Sequence, residues 1–162
     1  FSKVHLMSGW RIGYIAFNNS SQLDNIRENL PKLARVRIST NLPVQYAALE
    51  SLTGPQDYIP KFVSELKTHR DYVIKRLNEM NGISCSNPKG AFYAFPKIEN
   101  NPYKSDQEFV LNLLKSKGVL TVHGSGFGTK YGSGHFRLVF LPNMEKLSSA
   151  LDKIEDFVSH KP

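Results

Sequence analysis

The chain opens with Ser2-Lys3-Val4-His5-Leu6-Met7-Ser8-Gly9-Trp10-Arg11-Ile12-Gly13-Tyr14, directly after Phe1. A lysine and an arginine therefore stand eight residues apart, with a glycine between them that predicts a turn. Lysine attacks an aldehyde only as the neutral amine, a form that a neighbouring cation such as Arg11 favours. A guanidinium also matches phosphate geometry better than an ammonium does. The segment thus has two interpretations: a reactive lysine beside an anion-binding arginine, or a solvated lysine near a chain end.

The residues that follow predict a strand and two helices. Positions 9–17 have the aromatic and branched composition of a strand entered through a turn. Apolar residues at helical spacing predict a helix over 21–30, with Pro31 closing it. A second helix is predicted between Asn41 and Gly54, where Gly-Pro indicates a hinge.

A long helical pattern then runs from about Asp57 to Met80 and stops at Asn81-Gly82. After it the pattern changes to short strands, around 83–85, 91–95, 119–122 and 135–140. Two helices lie among these strands or follow them. The first has the capping-box sequence Ser105-Asp106-Gln107-Glu108. The second has Asn143 as its cap, and its predicted buried stripe is Leu147, Leu151, Ile154 and Val158.

Length and composition limit the class of protein. With 162 residues, 40% of them hydrophobic and 22% charged, the chain predicts one domain or two small ones. Neither a membrane-spanning stretch nor a signal sequence is evident, so we expect a cytoplasmic protein. The single cysteine, Cys85, excludes an internal disulfide and a cysteine-based zinc cluster, and we expect no metal. Because Phe1 has no methionine before it and a strand is predicted within ten residues, we expect a fragment.

The formal charge of +7 favours an anionic partner. The lysines and arginines are scattered over many predicted elements and form no block or stripe. A nucleic-acid surface more often shows such a stripe with exposed aromatic residues, so neither nucleic acid nor membrane is expected as a partner. Small anionic ligands are favoured instead.

Five blocks in the same order give the chain a specific resemblance. They are Ser2-Lys3 with Gly9-Trp10-Arg11-Ile12-Gly13-Tyr14, then Asn41-Leu42-Pro43-Val44-Gln45, Pro88-Lys89-Gly90-Ala91-Phe92-Tyr93, His123-Gly124-Ser125-Gly126-Phe127-Gly128 and Gly134-His135-Phe136-Arg137. This set resembles the class I/II aminotransferases, the aspartate-aminotransferase-like, fold-type I enzymes that use pyridoxal 5'-phosphate (PLP). Within that family the chain is most similar to the archaeal-type alanine aminotransferase group, through Leu33-Ala34-Arg35-Val36-Arg37, Leu52-Thr53-Gly54-Pro55 and His135 to Pro142.

The resemblance implies roles for four residues. Lys3 would be the lysine that forms the Schiff base with PLP and then moves the proton between substrate and cofactor. Ser2 and Arg11 would bind the cofactor, with Arg11 on its phosphate. Arg137 would bind the α-carboxylate of the substrate, although an arginine on a strand is often a surface ion-pairing residue.

Other residues of these blocks carry weaker expectations. Gly124, Gly126 and Gly128 lack the spacing of a dinucleotide loop and precede no predicted helix, so we expect tight turns near the substrate pocket. His123 stands where many family members have proline, and a structural role is expected. Arg35 and Arg37 lie where some relatives bring an arginine across a dimer interface, but solvated arginines at a helix end are favoured here.

The resemblance also implies the fold and the organisation of domains. The fold class is α/β, and the chain would be the C-terminal part of a fold-type I transferase. Residues 1–55 would finish the large PLP-binding domain, 56–81 would form the connecting helix, and 82–162 would form the small α+β domain. The acidic partner of the PLP pyridine nitrogen would lie upstream. The family works as a homodimer, which is expected here too.

The activity implied is transfer of an amino group by a ping-pong mechanism, from alanine to a 2-oxo acid such as 2-oxoglutarate. Three alternatives stay open. One is an aspartate or aromatic aminotransferase, or a PLP lyase of the same fold. Another is a non-catalytic effector-binding domain, a use of this fold in some transcription regulators. The third is a fragment with no activity of its own.

Overall fold

The computed structural model describes residues 1–160 and divides the chain into two compact units. The first unit is Phe1–Lys61, and the second begins at Phe62. Within the described residues, no helix combines the length and apolar character needed to cross a membrane.

The first unit is helical. A 3-10 turn at Ser8–Trp10 and another at Ser21–Leu23 precede α1 (Asp24–Arg35) and α2 (Leu42–Thr53). The long helix α3 (Tyr58–Glu79) begins in this unit and continues into the second. Pro43 lies in the first turn of α2, where a missing N–H costs nothing, and α2 ends at Gly54 as predicted.

The predicted strand over 9–17 is wrong. Its first residues belong to the 3-10 turn, and no described strand pairs with the rest. Tyr14 is 73% exposed and Ile15 is 65% exposed. A buried strand needs a neighbouring strand for its backbone groups and cover for its side chains, and Phe1–Lys61 supplies neither. In this unit, Met7 and Ala48 are the buried apolar side chains among those described.

The predicted stop at Pro31 is also wrong. The helix starts later than expected, at Asp24, and continues through Pro31 to Arg35. A proline removes its own N–H bond and crowds the preceding turn, but residues beyond it can resume the helical pattern. Arg27 contributes to the start of this helix, because its guanidinium donates to the Asp24 carboxylate and to the Ser20 carbonyl oxygen.

The second unit contains helices whose ends follow the predicted caps. In α4 (Asp106–Lys117), Ser105 Oγ accepts the N–H of Glu108 at 3.1 Å. Glu108 Oε2 accepts the N–H of Lys104 at 2.9 Å, one residue before the cap that a capping box would use. In α6 (Met144–Ser159), Asn143 Oδ1 accepts the N–H of Lys146 at 3.0 Å.

Two small antiparallel sheets complete this unit. In the first, β1 (Ile83–Ser84) pairs with β3 (Lys97–Ile98). The second has the order β2-β5-β4, with β2 at Tyr93–Ala94, β4 at Val122–His123 and β5 at Phe136–Val139. Between β4 and β5 the chain forms a 3-10 turn at Gly124–Phe127 and the four-residue helix α5 (Thr129–Gly132).

Three of the predicted strands, around 83–85, 91–95 and 135–140, contain observed strands but are too long, whereas the strand predicted at 119–122 shares only Val122 with β4. The observed strands have two to four residues, and β3 was not predicted. Composition marks where a strand can form, but the ladder extends only where a partner strand supplies hydrogen bonds. In the α6 stripe, Leu147, Leu151 and Ile154 are buried as predicted. Val158 is only half-buried, and its neighbour Phe157 is the fourth core residue.

The core of the second unit joins α3, α4 and α6 to both sheets. Its fully buried side chains include Val73 and Leu77 of α3, and Phe109 of α4 stacks on Phe136 of β5 with ring centroids 5.4 Å apart. Cys85 lies in this core, where burial raises the pKa of its thiol. The core therefore supports one face of the β2-β5-β4 sheet.

A buried carboxylate ties α4 to the turn between β4 and β5. Asp106 is 4% exposed, and its Oδ2 accepts the Ser125 N–H at 2.6 Å while Oδ1 accepts the Ser125 hydroxyl at 2.9 Å. Burial by itself would raise the pKa of Asp106. The hydrogen bonds from Ser125 and from the Gln107 backbone outweigh burial and hold that pKa below its usual value. The ionised carboxylate therefore fixes the Gly124–Phe127 turn at the start of α4.

Substitution of a core leucine tests the packing. Leu77→Ala should lower the free energy of unfolding by about 2–5 kcal/mol, because Leu77 is fully buried and its removal leaves a cavity. Leu120→Ala is the matched control: Leu120 is 78% exposed, and its loss should change stability by about 0.5 kcal/mol or less. Urea denaturation measures both, and equal losses would contradict this packing.

The Asp106 contact predicts a pH-dependent contribution to stability. Asp106→Asn should cost about 1–3 kcal/mol at neutral pH, because it leaves a Ser125 donor without its charged acceptor. The folded-state pKa of Asp106 is lowered, so its contribution is complete above the unfolded value of about 3.9 and is lost as pH falls through the folded value. The difference between wild type and Asp106→Asn in urea denaturation should therefore shrink below about pH 4. A difference that stays constant with pH would refute the role of the ionised carboxylate.

Candidate active site

The N-terminal segment carries Ser2, Lys3 and Arg11 on two successive backbone turns. The Phe1 carbonyl oxygen accepts the N–H groups of His5 at 3.1 Å and Met7 at 3.4 Å. Burial of the Met7 side chain anchors these turns. Arg11 follows the 3-10 turn in the left-handed conformation, with φ 53°, and its Nη1 donates to the Ser8 carbonyl oxygen at 2.8 Å. This local bond holds the Arg11 guanidinium close to the turn.

His5 links this segment to the first turn of α3. Its Nδ1 lies 2.8 Å from the Tyr58 hydroxyl, and its ring packs 5.6 Å from that of Phe1. The Phe1 ring in turn meets Tyr14 edge-on at 5.7 Å. Aromatic contacts therefore order residues on both sides of Lys3 and Arg11, although no strand forms here.

The donor set of this segment fits PLP. Positions 1–17 contain Lys3, Arg11 and His5 but no aspartate or glutamate, so the segment has a positive formal charge. A lysine amine is the group that captures an aldehyde, and a guanidinium with a serine hydroxyl can bind a phosphate dianion. The exposed Arg11 side chain uses one of its nitrogens on Ser8, which leaves further N–H donors for an anion.

Arg137 lies in the second unit, on the central strand β5. Tyr93 faces Val139 across the β2-β5 pair, so it is diagonal to Arg137 on the same side of the sheet. The Arg137 Cζ lies 4.6 Å from the Tyr93 ring centroid and 4.3 Å from that of Phe127. Both distances are within the range of cation–π contact. Two aromatic rings therefore hold the half-buried guanidinium.

Arg137 differs from the other half-buried arginines in having no acidic partner. Arg76 donates to Asp152 at 2.7 Å and to Glu155 at 3.0 Å, and Arg70 pairs with Asp71 at 2.7 Å. Across residues 1–160, no carboxylate pairs with Arg137 and no side-chain hydrogen bond uses its guanidinium. Ring contacts involve the π faces and leave the in-plane N–H donors available. This arrangement suits an external carboxylate.

The glycine-containing loop supplies Phe127. His123 precedes the 3-10 turn, and its Nδ1 accepts the Gly126 N–H at 3.2 Å and lies 3.0 Å from Ser125 Oγ. His123 is therefore a capping residue, in agreement with the structural role expected for it. The expectation that no helix follows this loop is wrong, because α5 begins at Thr129. Four residues form a single turn, so the dinucleotide-loop interpretation still fails.

Two glycines allow the loop to close on itself. The Gly124 N–H donates to the His135 carbonyl oxygen at 2.8 Å. A Cβ built on Gly124 would overlap the Gly132 carbonyl oxygen, and a Cβ on Gly132 would overlap that of Gly124. The backbones at the two ends of the loop thus touch directly. The prediction of tight turns did not include this contact between residues eight positions apart.

The remaining predicted candidates lie elsewhere. Arg35 ends α1 and Arg37 follows it, and both side chains are exposed in this chain. Both the solvated and the cross-interface interpretations of these arginines stay predictions. Sequence analysis did not identify Phe127 as a contact of Arg137 or Asp106 as an anchor. The glycines around Phe127 indicated a loop near the substrate pocket and could have pointed to Phe127. For Asp106, the sequence indicated only a position at the start of a helix.

Comparison with known proteins identifies the family. The family model for aminotransferase class I and II matches residues 1–154. A probable aspartate/prephenate aminotransferase of Rhizobium leguminosarum bv. phaseoli is 35% identical over 96% of this chain and 40% of its own length. The glutamate-pyruvate aminotransferase AlaA of Haemophilus influenzae is also 35% identical, over 98% of this chain and 40% of its own length. The chain therefore spans about 40% of the length of these relatives.

Solved structures of aminotransferases resemble this chain as well. An alanine aminotransferase from Pyrococcus furiosus has a TM-score of 0.90 and 52% identity, over 98% of this chain and 40% of that one. An aromatic aminotransferase from Pyrococcus horikoshii has a TM-score of 0.83 and 34% identity, over 96% of this chain and 40% of that one. These similarities cover both units and agree with the five sequence blocks. The chain belongs to the class I and II aminotransferase family and has the fold of the C-terminal part of a fold-type I enzyme.

Proposed function

We propose that the protein containing this chain is a PLP-dependent aminotransferase that transfers the amino group of alanine to 2-oxoglutarate. The observation that carries the proposal is Arg137, a half-buried arginine held by two aromatic rings and without an acidic partner among residues 1–160. Such a guanidinium offers two parallel N–H donors to a carboxylate, the group shared by every amino acid and 2-oxo acid.

In this proposal the N-terminal segment holds the cofactor. Lys3 Nζ is the covalent attachment point, Arg11 binds the phosphate, and Ser2 contributes a hydroxyl donor. The carboxylate-free composition of positions 1–17 supports this assignment. When bound, PLP supplies an electron sink for the electron pair left behind as the substrate α-proton is removed.

The chain's own residues then have distinct tasks. Arg137 binds the substrate through its α-carboxylate. Lys3 Nζ would hold the cofactor and, as a neutral amine, would accept the substrate α-proton and later return it. The same two residues serve the return reaction with the 2-oxo acid, because the acceptor carries the same carboxylate. Because both substrates need this one carboxylate site, the first product leaves before the acceptor binds, and this order is a ping-pong sequence.

The choice of alanine rests on the degree of similarity. The Pyrococcus furiosus alanine aminotransferase is 52% identical, whereas the aromatic and aspartate/prephenate enzymes named above are 34–35% identical. A dicarboxylate donor such as aspartate would need a second cation for its distal group. A homodimer in the cytoplasm stays a prediction, for gel filtration and fractionation to test.

The substrate proposal is tested by a donor series. Alanine, aspartate and phenylalanine are each assayed with 2-oxoglutarate, using the full protein that contains this chain. We expect kcat/KM for alanine to exceed the other two by at least about tenfold. A preference for aspartate or phenylalanine would replace the donor but keep the reaction class. Binding of PLP with no turnover of any donor would instead favour an effector-binding domain.

The role of Lys3 predicts one site of covalent labelling. Borohydride reduction after incubation with PLP should leave a pyridoxyl group on Lys3, located by peptide mapping. Lys3→Arg should lose this label and lower kcat by at least about 100-fold, because arginine keeps the charge but cannot act as the amine base. Lys32→Arg is the matched control, since Lys32 pairs with Glu28 on α1 and should keep label and activity. Labelling at another lysine with Lys3→Arg active would exclude this assignment.

The role of Arg137 predicts a defect in substrate binding. Arg137→Lys should raise the KM for alanine by about 10- to 100-fold, because a point charge replaces a bidentate donor. Arg76→Lys is the control, since Arg76 is occupied by Asp152 and Glu155. Steady-state kinetics measure both variants. An unchanged KM in Arg137→Lys would show that another cation binds the carboxylate.

A further inference from the structure

We propose that Phe127 is a positioning residue for carboxylate recognition, and that the Ser125–Asp106 contact sets its position. This inference rests on the proposed role of Arg137 and deepens it. Phe127 acts through the Arg137 guanidinium. Phe127 determines how tightly the substrate carboxylate is bound and takes no direct part in the proton transfer.

The first step of the argument is the contact itself. Of the two rings beside Arg137, Phe127 is the nearer, at 4.3 Å from Cζ to its centroid. Phe127 is nevertheless 51% exposed, so burial in the core does not explain its place. An aromatic ring attracts the guanidinium without accepting its in-plane N–H bonds, whereas an aspartate or glutamate there would consume them. A ring is therefore the neighbour that holds this arginine and leaves it ready for an anion.

The second step is what holds the ring. Phe127 meets Phe95 edge-on, with centroids 6.0 Å apart, and Phe95 stacks on His135 at 5.1 Å. Two residues earlier, both the N–H and the hydroxyl of Ser125 are bound by the buried carboxylate of Asp106. The Gly128 N–H donates back to the Ser125 carbonyl oxygen at 3.2 Å, which closes the turn around Phe127. The ring is thus connected through one turn of backbone to an ionic anchor in the interior.

The third step excludes a purely local explanation. A turn needs only glycines and a cap to form, and His123 with Gly124 and Gly128 supply them. A second, buried anchor on α4 is more than the turn requires. The anchor instead restricts the turn to one position, which is what a ring must have to hold a side chain on the neighbouring strand.

The test uses propionate, a carboxylate without an amino group, as a competitive inhibitor of the full PLP-loaded protein. Phe127→Leu should raise the inhibition constant for propionate by about 3- to 30-fold. In the alanine assay, the same variant should lower kcat by a smaller factor than it raises the KM for alanine. Phe127→Tyr keeps the ring and should restore a near wild-type constant. Tyr131→Leu, which removes a 76% exposed ring four residues away, is the matched control and should have no effect.

A second variant keeps the proposal testable if Phe127→Leu folds poorly. Ser125→Ala leaves the ring but removes the hydroxyl bond to Asp106, so its inhibition constant should lie between wild type and Phe127→Leu. Thermal unfolding and PLP affinity, measured on every variant, should not follow the order of the propionate constants. If they do, Phe127 is merely structural and the inference is overturned.

Arg137→Lys separates this inference from the proposed function. If it weakens propionate while Phe127→Leu does not, the positioning role is wrong and the function stands. If Arg137→Lys leaves propionate binding unchanged, the carboxylate site lies elsewhere and both fail. Weakening in both variants, with rescue by Phe127→Tyr, is the expected result.

Discussion

The buried carboxylate of Asp106 is the contact on which the arrangement of the second unit depends. It receives two hydrogen bonds from Ser125 and lies at the N-terminus of α4, where the helix dipole favours a negative charge. A single ionised group thereby joins the helical layer to the loop between β4 and β5. Phe127 lies on that loop, and its ring contacts the guanidinium of Arg137. Asp106 is thus connected to Arg137, the residue proposed to bind the substrate carboxylate, through Ser125 and Phe127.

The two units contribute different kinds of groups to the proposed chemistry. Phe1–Lys61 carries the amine and guanidinium on short backbone turns with few buried side chains, so its order comes from local hydrogen bonds and ring contacts. The unit that begins at Phe62 holds Arg137 on a strand backed by a dense core. The cofactor side therefore depends on local geometry, and the substrate side depends on tertiary packing.

Helix ends were predictable from the sequence, because they depend on residues that are close together in the chain. The caps at Ser105 and Asn143 and the extent of α3 depend on neighbouring residues, and they were predictable. The strand over 9–17 failed because strands need partners, which composition does not reveal. The roles proposed for Lys3, Arg11 and Arg137 were inferred from the resemblance to a family. Phe127 and Asp106 act through residues distant in sequence, and no periodicity or motif connects them.

The contact between Gly124 and Gly132 has a consequence for how this loop can vary between species. Each missing methyl group would collide with main-chain atoms of the other glycine, so no side-chain change nearby can make room for it. A side chain at either position would therefore force the two ends of the loop apart. Lys130 and Tyr131, exposed within the same loop, are free to drift. The direct contact of the two backbones therefore requires glycine at both ends of the loop.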